Sequence, residues 1–276
     1  MLPALAVFAV FVLAPMADGA WISLFRWDGV TEGRWVGLGN YRSALSDPAV
    51  RTAFEHSLVL IGFYAVLPVV IGLALTALLA HSRVRGAAAV RTLIFLPQVL
   101  AAVVIGVSWR WLYDPQGPIN QVLGSIGLGS LRHSWLGDFS TALPAVGAIG
   151  TWITTGLCLV LFMAGVQRIP PTRYEAARVD GAGPVREFFA VTLPGLRNEL
   201  AVALALTVIA ALRAFDIIYV TTKGGPGDET TVPSLLIYDR AFVTGQVGSA
   251  AAIGAIMGGL ILTLTVVITR LVEERP

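Results

Sequence analysis

The chain has 276 residues, of which 56% are hydrophobic and 13% charged, and its mean hydropathy is +0.77. Soluble domains carry roughly 25% charged residues, so this composition excludes a water-soluble globule and points to one all-α integral membrane domain. A net charge of +2 is too small to argue for a nucleic acid partner.

Six apolar runs are long enough to cross a bilayer, which takes about 20 residues of helix. They cover residues 2–25, 53–80, 92–113, 141–166, 199–220 and 247–272. Backbone polar groups must be satisfied inside the hydrocarbon, so each run is predicted to be a helix. The first lacks the basic flank of a signal peptide, because nothing basic precedes Arg26. It reads as a retained span, with a short cytoplasmic tail expected ahead of it. Pro68 and Pro97 lie inside the second and third runs and should kink them. The predicted organisation is a first helix with its outer loop (1–52), a five-span core (53–272) and a cytoplasmic tail (273–276).

Basic residues in the loops set the orientation. With the amino terminus in the cytoplasm, loops 81–91 and 167–198 face inward. They carry Arg83, Arg85, Arg91, Arg168, Arg173, Arg178, Arg186 and Arg197, and Arg270 and Arg275 join them from the end of the chain. The opposite side holds Arg26, Arg34, Arg42 and Arg51, so the asymmetry is modest. Trp21, Trp27, Trp35, Trp109, Trp111 and Trp135 fall near the outer ends of runs or in outer loops, at the level that aromatic belts favour. Of the 19 basic residues only Lys223 is a lysine, a feature of coding bias. Cys158 is a lone cysteine and the three histidines, His56, His81 and His133, lack ligand spacing. No metal site or cofactor is expected.

The loop 167–198 carries the most local information. It contains EAARVDGAGPVREFFAVTLP, residues 175–194, charged and punctuated in the middle of an apolar chain. Thr172 and Glu175 have the spacing of a capping box, and Pro170 and Pro171 bar extension backwards. Gly181 is a natural helix stop, and Pro184 suits the first position of a second helix. Val185, Phe188, Phe189 and Thr192 recur at helical spacing as one apolar face, and Leu193-Pro194 is expected to break the helix before the fifth span. Local rules leave two readings: an amphipathic loop in which Glu175 is only a cap, or a docking surface.

The same residues carry a resemblance. Glu175-Ala176-Ala177, Gly181 and the closing Val191-Thr192-Leu193-Pro194 resemble the EAA loop of the membrane subunits of bacterial ABC importers, with Val191 in place of Ile. The stretch RAFDIIYVTTKGGPGDETTVPSLLIYDRAF, residues 213–242, is similar to the carbohydrate-type group, with Thr221 in place of Leu. VGLGNYRSAL in the first outer loop and RTLIFLPQVLAAVVIGVSWRWLYDPQGPIN in the third span fit the same group. The resemblance covers nearly the whole chain.

It implies a permease with the type I transmembrane fold of ABC importers, sited in the bacterial cytoplasmic (inner) membrane. It further implies a second permease related by a pseudo-twofold axis, two cytoplasmic ATPase subunits and an extracytoplasmic solute-binding protein. The chain itself would be no enzyme. Consistent with that, it has no G-x-x-x-x-G-K-[ST] loop; KGGPGDET is Gly-rich but lacks the Lys-Ser/Thr end.

On this resemblance the residues expected to couple to the ATPase are Glu175, Ala176, Ala177, Arg178, Asp180, Gly181, Leu193 and Pro194. The small alanines would allow close approach, the charges would make rim contacts, and Gly181 would turn the chain where a side chain would clash. For the pathway, charged groups within a span should face a cavity or a partner, and sugar sites combine aromatic faces with polar groups. Trp152, Arg213, Phe215, Asp216 and Tyr219 are the candidates, with Trp109 beside them in a belt role; Arg213 and Asp216, three apart, could instead pair with each other. The cargo stays open between a sugar and a glycerol phosphate, polyol or amino sugar. A secondary transporter working alone would call for intramembrane carboxylates, of which the spans are nearly free.

Overall fold

A computed structural model describes residues 2–80 and 86–273. Arg83, Arg85, Arg275, His81 and most of the expected tail lie outside the described residues. Among the described residues, five helices are long and apolar enough to cross a membrane: Pro3–Ile22, Pro48–Leu79, Ala142–Val166, Arg197–Thr221 and Val247–Leu271. Ala89–Val99 and Ala102–Leu112 pass the same test only as a bent pair, which taken as one span is the third of six in chain order. The run expected as one helix over 92–113 is in fact bent by 102°. Leu100 and Ala101 are both extended there. The two halves pack against different partners, the first on the fourth span and the second on residues 216–221.

The fourth and fifth spans form the centre, with 61% and 56% of their most apolar windows buried, while the first has none. The first span is tied to the rest through the outer loop. A short antiparallel hairpin pairs Phe25 with Trp35 and Arg26 with Arg34, and Trp21, Phe25 and Trp35 pack as an aromatic cluster. Asn40, buried, donates to the carbonyls of Ser23 and Phe25 at 2.8 and 2.7 Å. Asp47 caps the second span by accepting from the Ala49 N–H and also pairs with Arg240, which reaches Ser249 on the sixth span.

The seam between the second and fourth spans follows from one proline. A π turn covers Gly62–Val66, in which the Leu67 N–H reaches the Gly62 carbonyl five residues back. The next donor in that pattern would serve Phe63, but residue 68 is a proline and has none. The fourth span brings two hydroxyls to this point. Thr151 Oγ1 reaches the Phe63 carbonyl at 2.6 Å and the Gly147 carbonyl of its own helix at 3.2 Å, and Thr154 Oγ1 is shared between the Tyr64 carbonyl at 3.0 Å and the Gly150 carbonyl of its own helix at 2.8 Å. Such contact needs the helices close, and the residues of the fourth span facing the two rings are glycines. A Cβ at Gly150 would lie 1.9 Å from Tyr64 Cε2, and one at Gly147 would lie 2.4 Å from Phe63 Cγ. Small residues at helix contacts are how membrane bundles gain van der Waals packing.

Candidate functional site

The segment expected on the inner side runs from Pro171 to Gly195 and is helical almost throughout. The first helix, Pro171–Val179, has Pro171 at its first position and Pro170 as its N-cap, with no side-chain capping bond. The capping box expected from Thr172 and Glu175 is therefore not formed: Thr172 already lies inside the helix, two residues past the N-cap position. The helix ends in a Schellman turn. Gly181 N–H donates to the Arg178 carbonyl at 3.0 Å and Ala182 N–H to the Ala177 carbonyl at 2.9 Å. Gly181 has φ +78 and a Cβ there would meet nothing within 4 Å. Backbone handedness, not the expected side-chain clash, is what requires glycine.

Gly183 is extended and Pro184 opens the second helix, Pro184–Glu187, as expected. That helix passes into a π turn over Phe188–Thr192 and continues through Leu193–Gly195. Leu193-Pro194 thus does not break it. The wide turn, with the Leu193 N–H bonded to the Phe188 carbonyl, accommodates the proline, and the break falls at Leu196, just before the fifth span. Leu196 is fully buried against Val69, Cys158, Phe162 and Ala203 from the second, fourth and fifth spans. It fastens the segment to the middle of the bundle.

The expected apolar face of the second helix is also revised. Val185 and Phe189 are 72% and 61% exposed, whereas Glu187 and Thr192 are buried. Glu187 accepts two hydrogen bonds from Arg178, Nε to Oε2 at 2.8 Å and Nη2 to Oε1 at 3.2 Å. This carboxylate holds the Arg178 guanidinium above its usual pKa. Tyr174, buried on the first helix, lies 3.2 Å from the Thr192 hydroxyl on the second. Glu175, Ala176, Asp180 and Gly181 are exposed and Ala177 half-buried, while Leu193 is half-buried and Pro194 exposed. Glu187 was not among the residues read from the sequence; its signal is an opposite charge nine positions after Arg178, across a helix stop.

The pathway candidates separate into two groups. The fifth span is interrupted: its helix ends at Leu212 and resumes at Asp216. Ser234 Oγ donates to the Ala214 carbonyl at the interruption, 2.6 Å away. Arg213 and Asp216 flank it, both exposed, and no ion pair joins them. Phe215 stacks on Tyr219 at 5.2 Å, and both rings meet Tyr238, which in turn meets Phe242. Tyr238 and Phe242 complete a four-ring string that the sequence reading left out, although their i, i+4 spacing was visible. Trp152 belongs elsewhere. It packs edge-on against Trp109 at 5.5 Å, and Trp109 continues to Tyr113 and Trp135. Trp109, Phe215 and Tyr219 all pack on the same buried core.

The profile of the binding-protein-dependent transport system inner membrane components matches residues 69–276. The chain belongs to this family. The permease is 37% identical over 271 residues to a probable ABC transporter permease protein, YurN, of Bacillus subtilis, covering 96% of this chain and 90% of that one. It is 36% identical to the trehalose/maltose transport system permease protein MalF of Thermococcus litoralis, covering 97% and 90%. Its fold matches a solved bacterial ABC transporter involved in the import of the acidic polysaccharide alginate, with a TM-score of 0.84 at 22% identity, covering 99% of this chain and 93% of that one. A second structure, of the bacterial alginate transporter in complex with an alginate pentasaccharide-bound periplasmic protein, gives 0.82. The permease is therefore a multi-pass inner-membrane protein with the type I transmembrane fold of ABC importers, and a transport subunit by family.

Proposed function

We propose that this permease is one of two membrane subunits of an ATP-driven sugar importer, and that the helix Pro171–Val179 is the seat for a cytoplasmic ATPase subunit. Two ATPase subunits hydrolyse ATP, a second permease completes the pathway, and an extracytoplasmic solute-binding protein delivers the sugar. In this reading residues 53–272 form the transport core and residues 1–52 a peripheral first helix with its outer loop. The observation that carries the coupling role is the fastening of an exposed helix to the bundle. Glu175, Ala176, Asp180 and Gly181 are presented outward, while Tyr174 and Leu196 are buried beneath them. A helix so held can enter a groove on a partner and carry its displacement to the spans. Identity of 36% to a trehalose/maltose permease along nearly the whole chain supports the sugar class. The aromatic groups around Trp152 and around Phe215 and Tyr219 give the pathway ring faces on which a sugar can stack, with Arg213 and Asp216 as polar groups to fix orientation.

Coupling requires that ATP and the loaded binding protein favour the same conformation. The test replaces Gly181 with Leu in the assembled complex and measures ATPase co-purification and uptake. A Leu there is strained by φ +78 whatever the space, so loss of uptake is expected. Normal uptake with intact assembly would sink the proposal.

A further inference from the structure

Arg178 and Glu187 stand nine residues apart on the two helices that meet at the Gly181 turn. Glu187 is only 7% exposed, although it lies in a loop region of a membrane protein where charged side chains normally reach water. Its carboxylate is gripped in the two-point fashion that a planar guanidinium allows. The pair borders a cavity of about 360 Å³ that is otherwise lined by Ala77 of the second span and by Ala182, Pro184, Phe188 and Thr192. A buried carboxylate beside open space is poorly supported by packing, so its position is set by its polar partners. The two-point contact fixes an angle as well as a distance between the helices, which a glycine turn alone does not.

We propose that the Arg178–Glu187 ion pair is a clamp that holds the ATPase-facing helix at a fixed angle to the helix leading into the fifth span. Glu187 and Arg178 are then positioning residues for energy coupling. This rests on the docking role given above. The clamp converts two short helices into one lever. Without it the two helices keep the Tyr174–Thr192 contact but lose the grip that sets their angle, and part of the ATPase's movement is absorbed in the Gly181 turn before it reaches Leu196. Arg178, which the sequence reading placed at the rim of the ATPase contact, instead acts within the permease, through Glu187.

The experiment uses the complete importer in proteoliposomes, with ATPase co-purification, ATP hydrolysis and solute uptake read on the same preparations. Glu187→Gln keeps the shape and removes the charge; Arg178→Lys keeps the charge and removes the two-point grip. Both should co-purify the ATPase and raise the ATP hydrolysed per solute imported by about fivefold or more, the lower end of ordinary coupling effects between sites. A merely structural role would change the yield of complex and leave that ratio alone. The double exchange Arg178→Glu with Glu187→Arg should bring the ratio back toward the parent value. A parental ratio in Glu187→Gln overturns the clamp, and if that variant does not accumulate, Arg178→Lys decides by the same criterion. An assembled double exchange that stays uncoupled also overturns it. Failure of the parent permease to co-purify an ATPase would refute the docking role instead, so the two failures are distinguishable.

Discussion

The close approach at Gly150 makes a demanding prediction about the Gly150→Ala substitution. The new Cβ would fall 1.9 Å from Tyr64 Cε2 and 2.2 Å from Cζ, whereas carbon atoms rest at about 3.5–4.0 Å. Something must move by well over an ångström. The Tyr64 ring cannot, being 6% exposed and enclosed by core residues, so the second and fourth spans must separate. Overpacking of this kind costs about 1–3 kcal/mol. Separation also weakens the Thr151 and Thr154 bonds to the second span, each worth about 0.6 kcal/mol within a membrane. The sum is about 2–4 kcal/mol, or on the order of 4–12 °C in the unfolding midpoint for a chain of this size. The assay is thermal unfolding of the purified permease in detergent. Gly258→Ala in the sixth span is the control, because a Cβ there meets nothing within 4 Å, and it should be neutral or slightly stabilising. Adding Tyr64→Ala to Gly150→Ala should restore part of the loss, a non-additivity expected only of residues in contact. An unchanged midpoint for Gly150→Ala alone would refute the reasoning.

Three further outcomes are expected. Gly181→Asn should keep most of the uptake and Gly181→Val lose most of it, since Asn tolerates left-handed backbone and a β-branched residue does not; equal uptake by the two variants in the assembled importer would count against the handedness argument. Arg240→Ala should lower the unfolding midpoint by an amount equivalent to about 1–2 kcal/mol by removing charged hydrogen bonds to Asp47 and Ser249, and Asp47→Asn, which keeps one oxygen for the Ala49 N–H but turns an NH2 toward Arg240, should lower it too. The Asp239 carboxyl is held above its ordinary value of 3.8, chiefly by burial and secondarily by Asp228. Its ionised form is penalised in the folded chain, so its effect on stability is most favourable below pH 3.8 and worsens as pH rises through the raised value. Asp239→Asn should therefore unfold at a higher temperature than the parent at pH 7, with the gap closing as pH falls toward 4; a constant gap would contradict this.

The number of spans was legible because apolar runs of that length have one outcome in a bilayer, and the stop at Gly181 was legible because a left-handed position leaves few alternatives to glycine. What escaped the sequence was decided by tertiary packing. The third span reads as one run with a proline kink; its 102° bend arises because its halves pack on different helices, a preference no local pattern encodes. Thr172 has the spacing of a capping residue, but Pro171 is itself a good first helical residue and starts the helix two positions earlier than a Thr172 cap would. Leu193-Pro194 looked like a stop and proved to lie inside a helix because a π turn precedes it. Hydropathy would place Glu187 in water; in the fold it is buried and meets Arg178 arriving from the preceding helix. The aromatic string was half legible, through Phe215 and Tyr219, and its other half comes from Tyr238 and Phe242 across the outer loop.

Pro68 has a consequence beyond the local geometry of its own helix. Two carbonyls of the second span are answered by hydroxyls of the fourth, at positions 88 and 90 residues further along the chain. These bonds act as a vernier. Sliding one helix past the other by a single turn, about 5.4 Å, would carry both threonines off their marks and drive the Tyr64 and Phe63 rings away from the glycines that admit them. The pair therefore has one register in which hydroxyls, carbonyls, rings and glycines all fit, and any other register gives up all of them at once.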